Sequence, residues 1–405
     1  MLIRIEKKRL SGVVAFPPSK SDSHRLLIAA ALAEGESVIR GISKCDDVMA
    51  TIESLKALGT DISISGETAT VKGIDMRKSC ADKPLYVNES GSTLRFLIPI
   101  ALLTGKETRF EGKERLFERP LGIYRDIVLE SGGRFDIEKN GLTVSGTLSG
   151  GEYRVKGDVS SQFITGLLFA LPLLEKDSRI VIEPPFESRP YVDMTADTLR
   201  KFGIKVEFED ENTLLISGRQ KYIPHDDIVE GDWSAGAFLL ALGHLHPDIK
   251  VSGYNRDTLQ GDSKCVEYLD MLKGGYSKID ISDCPDLGPI LFAMAAYFGG
   301  AEFTGTRRLL IKESDRCGAM AEELKKFGAV VEISENSVTV RGGELHKPNE
   351  MINGHNDHRI VMSMAVLCSI FGGEIDGAEA VKKSYPEFFE VMKNLGGRID
   401  NLEQI

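Results

Sequence analysis

The sequence predicts an α/β fold of two domains, each built from three repeats of strand, buried helix, strand, surface helix and hairpin (βαβαββ). Three observations carry that prediction. Six short polar boxes run directly into apolar stretches and recur roughly seventy residues apart. Six amphipathic stretches end at a glycine that leads into alternating residues, the pattern of a helix C-cap followed by a half-exposed strand. The chain has 405 residues, more than one core normally organises, so six repeats divide into three and three.

Taken in order, Leu2-Ile3-Arg4-Ile5 reads as a strand ahead of the first box that could join either domain. The boxes are Lys20-Ser21-Asp22-Ser23-His24-Arg25, Gly91-Ser92-Thr93-Leu94-Arg95, Ser160-Ser161-Gln162, Asp232-Trp233-Ser234, Asp286-Leu287-Gly288 and Asp357-His358-Arg359. Stretches behind them, such as Leu26 to Ala33, Phe163 to Leu174 and Ile360 to Phe371, are apolar on nearly every face and are expected to be buried helices. The first-turn N–H groups of such a helix, together with its dipole, make an anion site, and six of them imply a ligand with several negative charges. The glycine junctions lie at Gly59, Gly132, Gly203, Gly274, Gly328 and Gly396, and turn signals at Glu209-Asp210-Glu211-Asn212 and Ser334-Glu335-Asn336 separate paired strands. Between Asp232 and Asp286 the interval is short, and Gly274-Gly275-Tyr276-Ser277 leads almost directly to the fifth box, so the fourth repeat should lack its hairpin. The sharpest seam spans Tyr222 to Val229, which puts residues 19–227 in one domain and 1–18 with 228–405 in the other.

A net charge of −11 argues against nucleic acid as a partner, whereas cations placed at helix starts suit a small anion. The six cysteines form no Cys-x-x-Cys pair and read as reduced thiols of a cytoplasmic protein, and no apolar run is long enough to span a membrane. No metal site is expected. His244-Leu245-His246 lacks a third ligand nearby and reads as a surface turn. A non-enzymatic α/β solenoid would show the same periodicity without needing carboxylates and cations in register.

Five segments carry the chemistry: Pro17-Pro18-Ser19-Lys20-Ser21-Asp22-Ser23-His24-Arg25, Asn88-Glu89-Ser90-Gly91-Ser92-Thr93-Leu94-Arg95, Lys312-Glu313-Ser314-Asp315-Arg316, Asn356-Asp357-His358-Arg359 and Lys383-Ser384-Tyr385-Pro386. In this order, over the whole chain, they resemble the EPSP synthase (3-phosphoshikimate 1-carboxyvinyltransferase) family. The resemblance implies an inside-out α/β barrel in each domain, a double hinge near 18–20 and 226–230, and substrates held in the cleft between domains. The implied substrates are shikimate 3-phosphate and phosphoenolpyruvate, with no cofactor and a monomeric enzyme. By resemblance, shikimate 3-phosphate would be bound by Lys20, Ser21, Arg25, Ser160, Ser161, Gln162, Ser188, Asp286 and Lys312. Phosphoenolpyruvate would be bound by Lys20, Gly91, Arg119, Gln162, Arg316, Arg359 and Lys383, and the herbicide glyphosate would share that site in sensitive members. Arginines and lysines suit this cargo, because each substrate carries a phosphate and a carboxylate.

The implied reaction is addition followed by elimination, with Asp286 accepting the hydroxyl proton and Glu313 donating to C3 of phosphoenolpyruvate. Such a donor needs a raised pKa, so Glu313 should be desolvated. Arg95, inside its helix beyond the glycine, is expected to be structural. Three departures stand out: Glu89 where many members have asparagine, Leu310 where the family usually carries arginine, and the shortened fourth repeat. UDP-N-acetylglucosamine enolpyruvyl transferase, which typically uses a loop cysteine, fits less well, since Lys106 to Pro120 contains none. RNA 3′-phosphate cyclase would need a basic face that is not found.

Overall fold

The computed structural model describes residues 1–79, 81 and 83–404, with the side chain of Gln404 left aside. It divides the chain into two compact units, one formed by Met1–Pro17 and Gly231–Ile405, the other by Pro18–Glu230. Each has its own apolar core.

Within residues 18–230 the third repeat shows the plan most plainly. Strand Glu152–Lys156 runs parallel to Ser178–Glu183, with Tyr153 opposite Ile180 and Val155 opposite Ile182, and the hairpin Glu207–Asp210 and Thr213–Ile216 completes a four-stranded sheet. Helix Ser161–Ala170 is buried along almost its whole length, whereas Arg189–Lys201 buries only one stripe. The apolar composition of the first and the amphipathic spacing of the second cause that difference. Helices Lys20–Leu32 and Gly91–Leu102 are buried likewise, and fully enclosed Leu26, Leu97 and Phe163 each contribute about 1.5–3 kcal/mol of burial. The seam residues stay in this unit: Asp227–Ile228 pairs in parallel with Gly35–Arg40, and Val229 N donates to Arg40 O at 2.9 Å. That pairing carries the unit three residues past the boundary read from the sequence.

The other unit holds the buried helices Trp233–Leu245, Gly288–Phe298 and His358–Phe371. Strand Ile3–Ile5 belongs here, inserted between Gly373–Asp376 and Ile399–Asn401. The fourth repeat has no hairpin; its strand Ile249–Ser252 pairs only with Gly12–Ala15, and Val13 is left 74% exposed. The predicted glycine junctions end helices in the left-handed region, with φ 99° at Gly59, 77° at Gly132, 79° at Gly203, 95° at Gly328 and 93° at Gly396; in the fourth repeat Gly275, at 122°, takes that role in place of Gly274.

One expectation needs correcting. His246 is buried rather than in a surface turn: it accepts from Leu10 N at 3.3 Å on Nδ1 and meets Ser369 Oγ at 2.8 Å on Nε2, cross-linking the N-terminal segment to a core helix. Cys45, Cys265, Cys284, Cys317 and Cys368 are free and buried, and Cys80 lies outside the described residues. Among the described residues no helix is long and apolar enough to cross a membrane.

Candidate active site

In the unit of residues 18–230, three helix starts carry the sequence-predicted anion-binding groups. Lys20 opens the first and pairs with Asp47 at 2.9 Å. Ser19, not Ser21, is its cap, accepting from Asp22 N at 3.3 Å. Arg25 donates to Ser21 O at 2.7 Å, Thr195 Oγ1 at 2.9 Å and Tyr191 O at 2.9 Å, so its guanidinium ties this helix to Arg189–Lys201. Ser188, ahead of that helix, is buried with φ 57°.

At the second helix start Ser90 caps Thr93 N at 3.1 Å, and Gly91 faces two guanidinium groups. A Cβ on Gly91 would lie 2.8 Å from Arg119 Nη1 and 2.9 Å from Arg95 Nη1. Arg95 donates to Gln162 Oε1 at 2.8 Å and Pro120 O at 3.0 Å, while Gln162 donates back to Ser92 Oγ at 3.0 Å. The second and third boxes are therefore stitched together. Ser160 caps Gln162 N at 3.3 Å, and Ser161 is buried in the first turn. Behind them runs a hydroxyl chain: His24 Nδ1 to Thr51 Oγ1 at 2.8 Å, Thr51 to Thr93 at 2.6 Å, and Thr93 to Ser90 at 2.7 Å. Burial pushes the His24 pKa well below its ordinary value, so the chain starts from a neutral ring.

The other unit gathers the remaining groups around one carboxylate. Asp286 sits in the single turn Pro285–Leu287, and it receives Arg316 Nη1 at 2.8 Å, Lys312 Nζ at 3.2 Å and Arg359 Nη2 at 3.2 Å. Glu313 accepts from Arg316 Nη2 at 2.7 Å, and Asp357 accepts from Arg316 Nε at 2.8 Å. Arg359 also donates to Ser234 Oγ at 2.7 Å, and Lys383 donates to Asn356 O at 2.6 Å. Lys312, Arg316 and Arg359 thus face Asp286, Glu313 and Asp357, three charges of each sign, and Lys383 adds a further cation.

Arg316 is 1% exposed and enclosed by carboxylates. Its burial, which lowers the pKa, is outweighed by Asp357, Glu313 and Asp286, so the guanidinium is pushed above its ordinary value. Removing one member of such a buried cluster typically costs about 3–5 kcal/mol, because the partner charge remains enclosed. Lys312 behaves oppositely: burial pushes its ammonium down to about 8, opposed by Asp286 and helped by Arg316. Glu313, expected from sequence to be desolvated beside cations, has its side chain 17% exposed and ion-paired with Arg316.

The predicted residues fall into two sets, one in each unit: Lys20, Ser21, Arg25, Gly91, Arg119, Ser160, Ser161, Gln162 and Ser188 in one, Asp286, Lys312, Glu313, Arg316, Arg359 and Lys383 in the other. Sequence reasoning missed Asp47, Asp357 and Arg95. Arg95 enters the site because helical side chains tilt toward the N-terminus, so a residue one turn along reaches back over Gly91. That spacing was readable. Asp47 opens the next helix of the same repeat, Asp46–Ala57, and no local pattern pairs it with Lys20.

The EPSP synthase (3-phosphoshikimate 1-carboxyvinyltransferase) family model matches residues 5–274 and 266–392. The 3-phosphoshikimate 1-carboxyvinyltransferase of Clostridium kluyveri is 43% identical over 98% of this chain and 98% of its own length, and that of Clostridium novyi is 40% identical with the same coverage of both. Solved structures with the same fold include EPSP synthase from Acinetobacter baumannii, with TM-score 0.79 and 23% identity over 99% of this chain and 100% of that one. A second is the enolpyruvyl transferase NikO from Streptomyces tendae, with TM-score 0.77 and 18% identity over 98% of each chain. With full-length matches at these identities, and with the ordered boxes gathered at helix starts, the chain belongs to the EPSP synthase (3-phosphoshikimate 1-carboxyvinyltransferase) family.

Proposed function

We propose that this protein transfers the enolpyruvyl group of phosphoenolpyruvate to the 5-hydroxyl of shikimate 3-phosphate, releasing phosphate and 5-enolpyruvylshikimate 3-phosphate. The observation that carries the assignment of roles is Asp286, a carboxylate surrounded by Lys312, Arg316 and Arg359. Asp286 takes the hydroxyl proton as oxygen attacks C2, and Glu313, ion-paired with Arg316 in the free protein, must be protonated in the substrate complex to deliver a proton to C3. The tetrahedral intermediate then loses phosphate as C3 returns its proton. Lys20, Arg119, Arg359 and Lys383 offset the phosphate and carboxylate charges, and the hydroxyls of Ser160, Ser161 and Ser188 with Gln162 take the shikimate phosphate.

For Arg316, the ion pairs with Asp286, Glu313 and Asp357 support a different emphasis from direct ligand contact: it holds the two proton-handling carboxylates at a fixed separation. The reaction runs in the cytoplasm, a reading supported by the five buried free thiols among the described residues.

Phosphate release from phosphoenolpyruvate, measured with shikimate 3-phosphate and with UDP-N-acetylglucosamine as acceptors, tests the reading. Activity with the second acceptor alone would overturn it. Asp286→Asn and Glu313→Gln should each lower turnover by about 10² or more while shikimate 3-phosphate still binds. Near-normal turnover would remove that residue from the mechanism.

A further inference from the structure

Outside the groups assigned to the reaction, Glu323 is a charge buried completely, at 0% exposed. It lies seven residues after Arg316 on helix Arg316–Lys326, two turns along the same face. Its carboxylate accepts from Lys326 Nζ at 3.0 and 2.8 Å, from Asn353 N at 3.1 Å and from His355 Nε2 at 2.9 Å. Lys326 also donates to Met351 O at 3.0 Å, and Arg316 at the head of the helix holds Asp357. One helix face therefore grips positions 351, 353, 355 and 357 in turn. The segment it grips is strained: His355 and Asn356 have φ 49° and 50°, a conformation costing about 1–2 kcal/mol per non-glycine residue. Among the described residues, the charged groups facing the imidazole are Glu323, Lys326 and Glu322, the last at 3.9 Å and on the exposed side. Glu322, Glu323 and His355 lie close enough to hold a cation, but Lys326 already occupies both oxygens of Glu323.

That strained turn delivers two groups to the proposed chemistry. The Asn356 carbonyl binds Lys383 Nζ at 2.6 Å, and Asp357 caps the helix that carries Arg359, accepting from Arg359 N at 2.9 Å. We propose that Glu323 and His355 are positioning residues, whose ion pair holds the 353–357 turn in the strained geometry that places Lys383 and Arg359 on phosphoenolpyruvate. The inference rests on the assignment of those two cations to that substrate. Neither positioning residue touches a reacting atom, so their loss acts on binding of phosphoenolpyruvate and not on the chemical step.

Protonation gives the pair a signature. Its hydrogen bond to Glu323 raises the His355 pKa above the ordinary 6.5, with burial opposing. The pair is complete below the ordinary value and is lost as pH rises through the raised one. The phosphoenolpyruvate KM of the native protein should therefore climb on the alkaline side of neutrality.

Steady-state kinetics across pH 6 to 9, with melting temperatures alongside, test this in full-length protein. His355→Ala should raise the phosphoenolpyruvate KM about five- to tenfold while kcat and the shikimate 3-phosphate KM change by less than about twofold. His355→Gln, which keeps a neutral donor to Glu323 but cannot titrate, should show a phosphoenolpyruvate KM near that of the native protein at high pH, unchanged from pH 6 to 9. A lowered melting temperature with unchanged KM, a loss of kcat alone, or an alkaline climb that survives in His355→Gln would overturn the proposal and leave the reaction standing. Native protein that does not turn over these substrates would overturn the assigned reaction, and this proposal with it.

Discussion

At the scale of single residues, Gly91 shows what a side chain's absence does. The space over its Cα is taken by the guanidinium groups of Arg119 and Arg95, both within 3.0 Å of where a methyl would sit. Contacts under that limit force a shift, and the ends of two arginines can give way where a backbone could not. Gly91→Ala should therefore fold, and act by pushing Arg119 off the phosphoenolpyruvate site. Both phosphoenolpyruvate and glyphosate use that arginine in this reading, and the longer inhibitor should lose more. The expected result is a rise in the phosphoenolpyruvate KM accompanied by a larger factor in the glyphosate inhibition constant, with the melting temperature little changed. Equal factors would mean that the methyl acts only through Arg119, with no crowding of the inhibitor.

Among the elements, the helix starts serve two functions that one substitution can separate. Ser160 caps helix Ser161–Ala170 through Gln162 N, and it is also assigned to the shikimate phosphate. Losing a cap alone costs about 1 kcal/mol, and asparagine caps about as well as serine. Ser160→Ala should lower both stability and shikimate 3-phosphate affinity, whereas Ser160→Asn should recover stability without recovering affinity. Recovery of both would reduce Ser160 to a cap. The same contrast explains what the sequence could tell. Buried helices, glycine C-caps and the missing fourth hairpin were legible, because period and composition are local signals. Two strands were not, Asp227–Ile228 and Gly12–Ala15, and for Ile3–Ile5 the strand was legible but not the sheet it joins. All three complete sheets whose other strands lie elsewhere in the chain, and pairing at that distance leaves no period to read. The site divided likewise: the boxes marked the helix starts, though not the parts Arg95 and Asp357 play there, while Asp47 on Lys20 and Glu323 behind Asn353 belong to pairings that only the fold creates.

For the whole molecule the decisive fact is that two cores, one in each unit, share one chain that passes between them after Pro17 and after Glu230. Separate cores of this size are expected to unfold as separate cooperative transitions. The residues assigned to shikimate 3-phosphate come from both units: Ser160, Ser161 and Gln162 from one, Asp286 and Lys312 from the other. A ligand that binds only the folded form stabilises whatever must be folded to bind it, by about 2.7 kcal/mol at a hundred times its Kd. Scanning calorimetry should therefore show two transitions that both move upward with shikimate 3-phosphate. In Lys312→Ala, which removes one assigned ligand from the unit containing Asp286, the shift of that unit's transition should shrink more than the other's. Movement of only the transition of residues 18–230 in the native protein would withdraw Asp286 and Lys312 from the shikimate 3-phosphate site, while leaving the serine box in place.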